Sequence, residues 1–295
     1  PRDRAVLSRI HPADNPVRIT MQPQTNLMCP PMTDSNPTTA PADAEPGDRY
    51  GFMALPQFNV VVVGNGAIGS AILSRLLQET GLQRAFLLAR NPSSTPIDDR
   101  VTSLPLDAED AGSIEAAAAD VGSHVDRIHL LINTVGVLHS DGHKPEKRLK
   151  DLNPKHLQHS FAVNAIFLPL LCGAFSNLMK HPEPAVLASL SARVGSIEDN
   201  QLGGWYSYRA AKAAQNMLLR TLSCEWKISH RNVSVVALHP GTVESRLSAP
   251  FISKNYKNRV LTPAESAAAL LGVIAGLQPG ETGKFYDWQG HAIPW

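Results

Sequence analysis

Residues 58–63 read Phe-Asn-Val-Val-Val-Val and run straight into Gly64-Asn65-Gly66-Ala67-Ile68-Gly69, after which apolar residues recur at Ile68, Ile72, Leu73, Leu76 and Leu77. An unbroken β-branched run suits a strand buried on both faces, and recurrence every three to four residues marks one face of a helix. A strand, a glycine turn and a helix in that order limit the chain to α/β architectures, because a strand with two covered faces needs helices on both. The rest of the chain keeps the alternation. Strands are expected at 85–89, 101–106, 127–132, 185–190, 233–238 and 284–286, and helices at 67–80, 108–119, 154–179, 205–229 and 263–276. The fold class that follows is α/β: a Rossmann-type, doubly wound parallel sheet of about seven strands with right-handed crossovers and helices on both faces.

The pattern starts only near residue 56. Ten of the 23 prolines lie in residues 1–56, separated by Thr, Ser, Asn, Asp and Gln with no periodic apolar face. Such a stretch cannot bury enough surface to offset its ordering entropy, so residues 1–55 are expected to be a disordered leader and residues 56–295 the folded domain. Arg2, Arg4, Arg9 and Arg18 hint at organelle targeting, whereas Asp3, Asp14, Asp34, Asp43, Glu45 and Asp48 oppose it. Because the chain begins on Pro1 and carries Met53 just before the first strand, a start-site origin for this segment stands beside a functional one.

Composition narrows the function classes. Lys plus Arg number 27 against 26 Asp plus Glu, so no basic field marks a nucleic-acid partner. Cys29, Cys172 and Cys224 are odd in number and far apart, which suits a reducing, cytoplasmic compartment better than a disulfide framework. Residues 161–179 carry no charge over a length that would span a bilayer, but Asn164, Pro169, Ser176 and Asn177 interrupt them. A buried or interface helix is expected there, not a membrane partner.

Gly64, Gly66 and Gly69 fit G-x-G-x-x-G between strand and helix. Glycines permit the tight turn and the close approach of a pyrophosphate, whose charge the helix N-terminus favours, so a dinucleotide cofactor is expected here. An acidic residue after the second strand would hold a ribose 2′-hydroxyl; this chain has Ala89-Arg90. The guanidinium fork suits a 2′-phosphate, which predicts NADP(H) over NAD(H). Tyr208 and Lys212 stand four apart on one helix face. A phenol ordinarily titrates near 10, and bringing it to about 7 takes about 4 kcal/mol. A cation within about 4–6 Å supplies about one to three of those three units. Lys212 is therefore expected to do much of the lowering of the Tyr208 pKa, with the positive nicotinamide of the oxidised cofactor adding the rest, and Tyr208 would protonate a carbonyl oxygen as hydride reaches its carbon.

Taken in order, Gly64–Gly69, Asn133-Thr134-Val135-Gly136, Val163-Asn164, Ser189-Leu190-Ser191, Tyr208-x-x-x-Lys212 and His239-Pro240-Gly241-Thr242 resemble the short-chain dehydrogenases/reductases. The resemblance spans residues 57–295. Within that family, residues 191–197, 202–208 and the closing Phe285-Tyr286-Asp287 and Ile293-Pro294-Trp295 are similar to the C-factor (C-signal) and sniffer-like carbonyl reductase group. The resemblance implies an enzyme acting on a small carbonyl or alcohol substrate. Its tetrad falls on Asn164 (proton relay through a water), Ser191 (substrate oxygen, with Ser189 as the weaker candidate), Tyr208 (general acid/base) and Lys212. It likewise implies cofactor contacts at Gly64, Gly66, Ile68, Gly69, Arg90, Asp107 (adenine), Asn133 and Gly136 (adenine ribose), Tyr208, Lys212 and Thr242 (nicotinamide carboxamide). A homodimer or homotetramer through the helices at 154–179 and 205–229 is also implied. Against the enzyme stands a signalling or scaffolding protein that holds the dinucleotide structurally; it has no need of all four tetrad residues.

Three departures from the family pattern matter. The glycine spacing is shorter than its usual form, the interval from Ser191 to Tyr208 is longer, and Thr134-Val135 replaces Asn-Ala, a change expected to bear on stability. His139, His143, His156 and His159 lack carboxylate or cysteine partners at ligand spacing, so no metal is expected. Lys144, Lys147, Arg148 and Lys150, interleaved with Glu146 and Asp151, read as a solvated face. The loops at 138–153 and 243–260 are expected to build the substrate pocket, with Leu247, Phe251 and Ile252 as an apolar lid.

Overall fold

The computed structural model describes residues 51–92, 98–140, 144–254, 258–278 and 280–295. Its strands are β1 (Phe58–Val63), β2 (Leu82–Ala89), β3 (Val101–Pro105), β4 (Leu130–Asn133), β5 (Ala185–Leu190), β6 (Val233–His239), β7 (Thr242–Val243), β8 (Val260–Leu261) and β9 (Lys284–Asp287). The helices are α1 (Ala67–Leu76), α2 (Ala111–His124), α3 (Pro154–Phe161), α4 (Phe167–Met179), α5 (Tyr206–Ser229) and α6 (Pro263–Ala275). Seven strands form one sheet in the order β3-β2-β1-β4-β5-β6-β9, every neighbouring pair parallel, while β7 and β8 make a small separate pair.

All six residues of β1 are buried, as a central strand covered on both faces must be. Its alternate residues feed two cores. Val61 and Val63 join Phe86 and Leu88 with Ile114 and Val121 of α2, Phe167 and Phe175 of α4, and Leu219 and Trp226 of α5. Val60 and Val62 join Ile72, Leu73 and Leu76 of α1 and Leu270, Leu271 and Ile274 of α6. From β1 the chain winds outward through β2 and β3, then returns to β4 on the other flank. The connections diverge at the carboxyl ends of β1 and β4 and leave a crevice there, where doubly wound sheets bind ligands.

Helix ends follow capping chemistry. Asp110 accepts from the Gly112 N–H, so α2 starts at 111 and not at 108. Asn153 caps α3 ahead of Pro154, and Thr262 with Glu265 forms a reciprocal box on α6. The long helix expected over 154–179 is one run with an inserted π turn at Ala162–Ile166 between α3 and α4. Its 26 residues include a window of mean hydropathy 1.7, long and apolar enough to cross a membrane. Here, however, Phe167, Leu168, Leu171, Cys172, Phe175 and Met179 pack beneath the sheet.

The expected boundary at residue 55 needs correction. Gly51–Ala54 forms a 3-10 turn whose Phe52 is 1% exposed and lies edge-on to Phe58, with ring centroids 5.3 Å apart. An aromatic ring with that contact belongs to the core, and the folded part therefore includes these residues. Residues 1–50 of the expected leader lie outside the described residues, as do His143 and parts of both expected pocket loops.

Candidate active site

The glycine turn closes on itself tightly. Gly64 has φ +101°, and a Cβ there would meet Thr134 Oγ1 at 2.5 Å. One on Gly69 would lie 2.0 Å from the Gly64 carbonyl oxygen. A Cβ on Gly66, the N-cap of α1, meets nothing within 4 Å. Backbone is thus packed on two sides of the turn and open on the third, at the positive end of a helix, and this is the shape a diphosphate needs. Ile68 is half-buried beside the opening, and Arg90 is exposed at the end of β2. Nearby, Asn65 Nδ2 reaches the Asn91 carbonyl at 2.5 Å. Asp107 is exposed past β3, its carboxylate accepting from the Glu109 N–H. The Thr134 hydroxyl donates to the carbonyls of Val63 and Gly64 at 2.8 and 3.2 Å. That brace agrees with the structural part expected of this substitution. Gly69→Ala is expected to destabilise the fold by about 1–3 kcal/mol and abolish NADPH binding, because the new methyl would meet the Gly64 backbone carbonyl at 2.0 Å and Thr134 Oγ1 at 2.7 Å; denaturant midpoints and cofactor fluorescence titration measure the two effects.

Asn133 is buried and fully engaged: its Nδ2 donates to Ser189 Oγ at 3.1 Å and its Oδ1 accepts from the Val135 N–H at 3.0 Å. It shapes the turn after β4 from within. At the end of that turn a Cβ on Gly136 would stand 3.2 Å from Asn164 Oδ1 and 3.5 Å from Lys212 Nζ. Residues that the sequence places 76 apart therefore converge on one backbone position. Asn164, at the middle of the π turn, is 2% exposed. Its Oδ1 accepts from the Val137 N–H at 3.0 Å, and its Nδ2 donates to the carbonyls of Val137 and Ser160 at 2.8 and 3.0 Å. The partners a buried amide requires are thus supplied by the β4 loop and its own helix.

Tyr208 and Lys212 lie in the first turns of α5, with Lys212 Nζ 5.8 Å from the phenol ring centroid. Nζ donates to the Leu190 carbonyl at 2.9 Å and to Gln215 Oε1 at 2.8 Å. Burial brings the Lys212 ammonium down to about 7, and burial alone pushes the Tyr208 phenol above its ordinary value. Desolvation is the cause of both shifts, and an amine near 7 is only partly charged at neutral pH. Tyr208 Oη makes no hydrogen bond among the described residues, yet it is not sealed from solvent.

Ser191 is buried just past the end of β5. Its hydroxyl donates to Asn216 Oδ1 at 2.7 Å, inside α5. The pleat explains this: Ser189 and Ser191 are two apart and share a face, and Ser189 Oγ likewise meets α5 through Gln215 Nε2 at 2.6 Å. Thr242, half-buried in β7, follows Gly241, whose φ of +78° and close approach to Leu261 and Trp288 leave no space for a side chain.

Two residues that shape the site went unread in the sequence. Gln215 is fully buried and orients Lys212. Glu146, expected on a solvated face, is 2% exposed. Its carboxylate accepts from the Ser207 N–H at 3.2 Å and from the Ser207 hydroxyl, and its carbonyl accepts the Trp205 N–H. A carboxylate at the amino end of α5 suits the helix dipole and fixes where Tyr208 begins. Among the histidines, His139 Nε2 contacts the Leu247 carbonyl at 3.1 Å and His159 pairs with Glu109 at 3.0 Å on the surface.

At the opposite end of the sheet, His129, His181 and Glu183 bring possible ligand atoms within 4.8 Å of one another. The Asn59 N–H donates to His129 Nδ1 at 3.0 Å, so Nε2 carries the proton and faces Glu183 at 2.8 Å. A neutral imidazole used in this way has no lone pair left for an ion, and the trio is a brace between the starts of β1, β4 and β5.

Comparison with known proteins agrees with this geometry. The family profile described as short chain dehydrogenase matches residues 59–255. The chain is 31% identical over 147 residues to the C-signal protein of Myxococcus xanthus, covering 50% of this chain and 83% of that one. It is similar to the NADPH-bound carbonyl reductase from chicken fatty liver, with 26% identity, a TM-score of 0.70, and 82% and 100% of the two chains covered. The putative carbonyl reductase Sniffer of Caenorhabditis elegans gives 25%, 0.68, 82% and 100%.

Proposed function

The chain belongs to the short chain dehydrogenase family, and on that footing we propose that this oxidoreductase transfers hydride between NADP(H) and a small carbonyl or alcohol substrate. One observation carries the reading: Asn164 and Lys212 converge on Gly136 at the carboxyl end of the sheet, with the Tyr208 ring centroid 5.8 Å from Lys212 Nζ, and the nearby glycine turn is open at Gly66. The opening at Gly66 fits a dinucleotide diphosphate, with Gly64 and Gly69 shaping the turn and Ile68 beside it. Arg90 takes the 2′-phosphate, Asp107 the adenine, the Asn133–Gly136 turn the adenine ribose, and Thr242 the carboxamide.

A bound nicotinamide supplies or accepts the hydride. Tyr208 Oη gives the proton to the substrate oxygen in reduction and takes it back in oxidation. Lys212, in its ammonium form, favours the phenolate left behind. Asn164 holds the β4 loop against Lys212 and lines the route by which a water restores the proton. Ser191 is the second donor to the substrate oxygen and reaches it by rotating about χ1 away from Asn216. Ile166, Leu170, Met217 and Ile228, exposed on α4 and α5 and the turn before α4, support a homodimer or homotetramer through those helices.

Consumption of NADPH against a panel of small carbonyls tests the activity; a panel without turnover rejects it. The cofactor preference has its own test. Arg90→Ala is expected to weaken NADPH roughly ten-fold, the size of one lost charge-assisted contact, and to leave NADH affinity unchanged. Equal loss for both cofactors in fluorescence titrations counts against the 2′-phosphate contact.

A further inference from the structure

Three aromatic rings from three separate segments extend in a chain of contacts from the proposed acid, Tyr208. Tyr208 meets Trp205 edge-on with centroids 6.4 Å apart, Trp205 meets Phe251 at 4.9 Å, and Phe251 meets His139 edge-on at 5.8 Å. His139 follows β4 and Phe251 ends the short 3-10 turn Ala249–Phe251 beyond β7, so both lie on the carboxyl side of the sheet. The His139 ring is pinned by the Leu247 carbonyl.

Trp205 is the one non-glycine residue with positive φ among the described residues, at φ 51° and ψ 44°. It follows Gly203 and Gly204, which are also left-handed, and its N–H is held by the Glu146 carbonyl. A bulky side chain in that region carries strain that a glycine would not, and such strain persists at functional sites when the surroundings enforce it. Core packing does not account for the indole: it is half-buried and belongs to neither core.

We propose that this row is the substrate-facing wall of the site and that it selects a planar aromatic carbonyl, an aryl aldehyde or aryl ketone. The aryl ring stacks on Trp205 and Phe251 while the carbonyl oxygen reaches Tyr208 Oη. The proposal rests on the reductase reading above. The rings already stand at the separations that offset and edge-to-face pairs prefer, and a further aromatic ring continues the row. A saturated ring of equal size gains the same burial without the quadrupole contact.

NADPH oxidation is measured with acetophenone, with cyclohexyl methyl ketone as its saturated match, and with butane-2,3-dione as a reactive probe without a ring. The wild-type kcat/KM for acetophenone is expected to exceed that for cyclohexyl methyl ketone by roughly five- to ten-fold. In Trp205→Gly and in Phe251→Leu the ratio falls to within about two-fold; thermal melts identify any variant that fails to fold, and the other then decides. Turnover of the dione with no preference between the ketones overturns the proposal and leaves the reductase reading standing. A wild-type ratio retained in the folded variants also overturns it. No oxidation with any of the three probes rejects the reductase reading, and the proposal with it.

Discussion

Tyr208→Phe is expected to lower kcat for carbonyl reduction by about 10²- to 10⁴-fold, the range that general acid catalysis contributes, and to leave stability within about 0.5 kcal/mol of wild type. The two halves of this expectation have separate causes. The phenol ring is buried and packs on Trp205, so phenylalanine keeps the packing. The hydroxyl makes no hydrogen bond among the described residues, so its loss orphans no partner. The pH dependence is directional. Because burial holds the phenol above its ordinary value, the acid is fully loaded at neutral pH and reduction does not wait on its protonation. Alcohol oxidation needs the phenolate and is expected to climb with pH through the alkaline range. Steady-state rates of both directions between pH 6 and 10, with denaturant melts of the variant, check this. A variant that still reduces carbonyls at near wild-type rate removes Tyr208 from the chemistry.

What could be read from the sequence was local, and what could not was set by distant partners. Phe58–Val63 and the glycine turn announce themselves because strand burial and turn geometry depend on adjacent residues. Tyr208 and Lys212 share a helix face by spacing alone, and Asn164 stood out as an amide inside an apolar stretch. The π turn around Asn164 has no such signature: the apolar periodicity continues across it, and only the Val137 backbone, 27 residues away, shows why the helix widens there. Glu146 is the plainest case. Its neighbours Lys147, Arg148 and Lys150 are exposed, so its charge read as one more on a wet surface. The N–H of Ser207, 61 residues later, draws it inside. Ser191 shows another side of this: its place in a family motif suggests a substrate contact, while its hydrogen bond to Asn216, 25 residues later, has no local signature. Tyr208 shows the same limit: spacing gives its proximity to Lys212, while its burial, which raises the phenol, is something spacing does not report.

The second large effect concerns Lys212. Its ammonium, ordinarily near 10.5, is brought down to about 7 by burial. Between those values the unfolded chain keeps a proton that the folded chain has released. Stability is therefore expected to rise with pH from about 7 to 10.5, by at most about 1.4 kcal/mol per unit, and to show no contribution from this group below about 7. Over the whole window the cost of protonated Lys212 reaches the order of 4–5 kcal/mol at neutral pH and below. Replacing the amine by an apolar chain of similar length removes that cost. Lys212→Met should be inactive in carbonyl reduction, because no cation then stands beside Tyr208. Its stability relative to wild type should be greatest near pH 7 and shrink by about 2–3 kcal/mol by pH 9. The lost hydrogen bonds to Leu190 and Gln215 offset part of the gain at every pH, so the slope is the diagnostic quantity and not the absolute difference. Denaturant unfolding of both proteins at pH 7, 8 and 9 reads it directly. Parallel pH profiles for wild type and variant would show that Lys212 is charged in the fold, and that its ammonium already faces Tyr208 as the sequence spacing alone suggested.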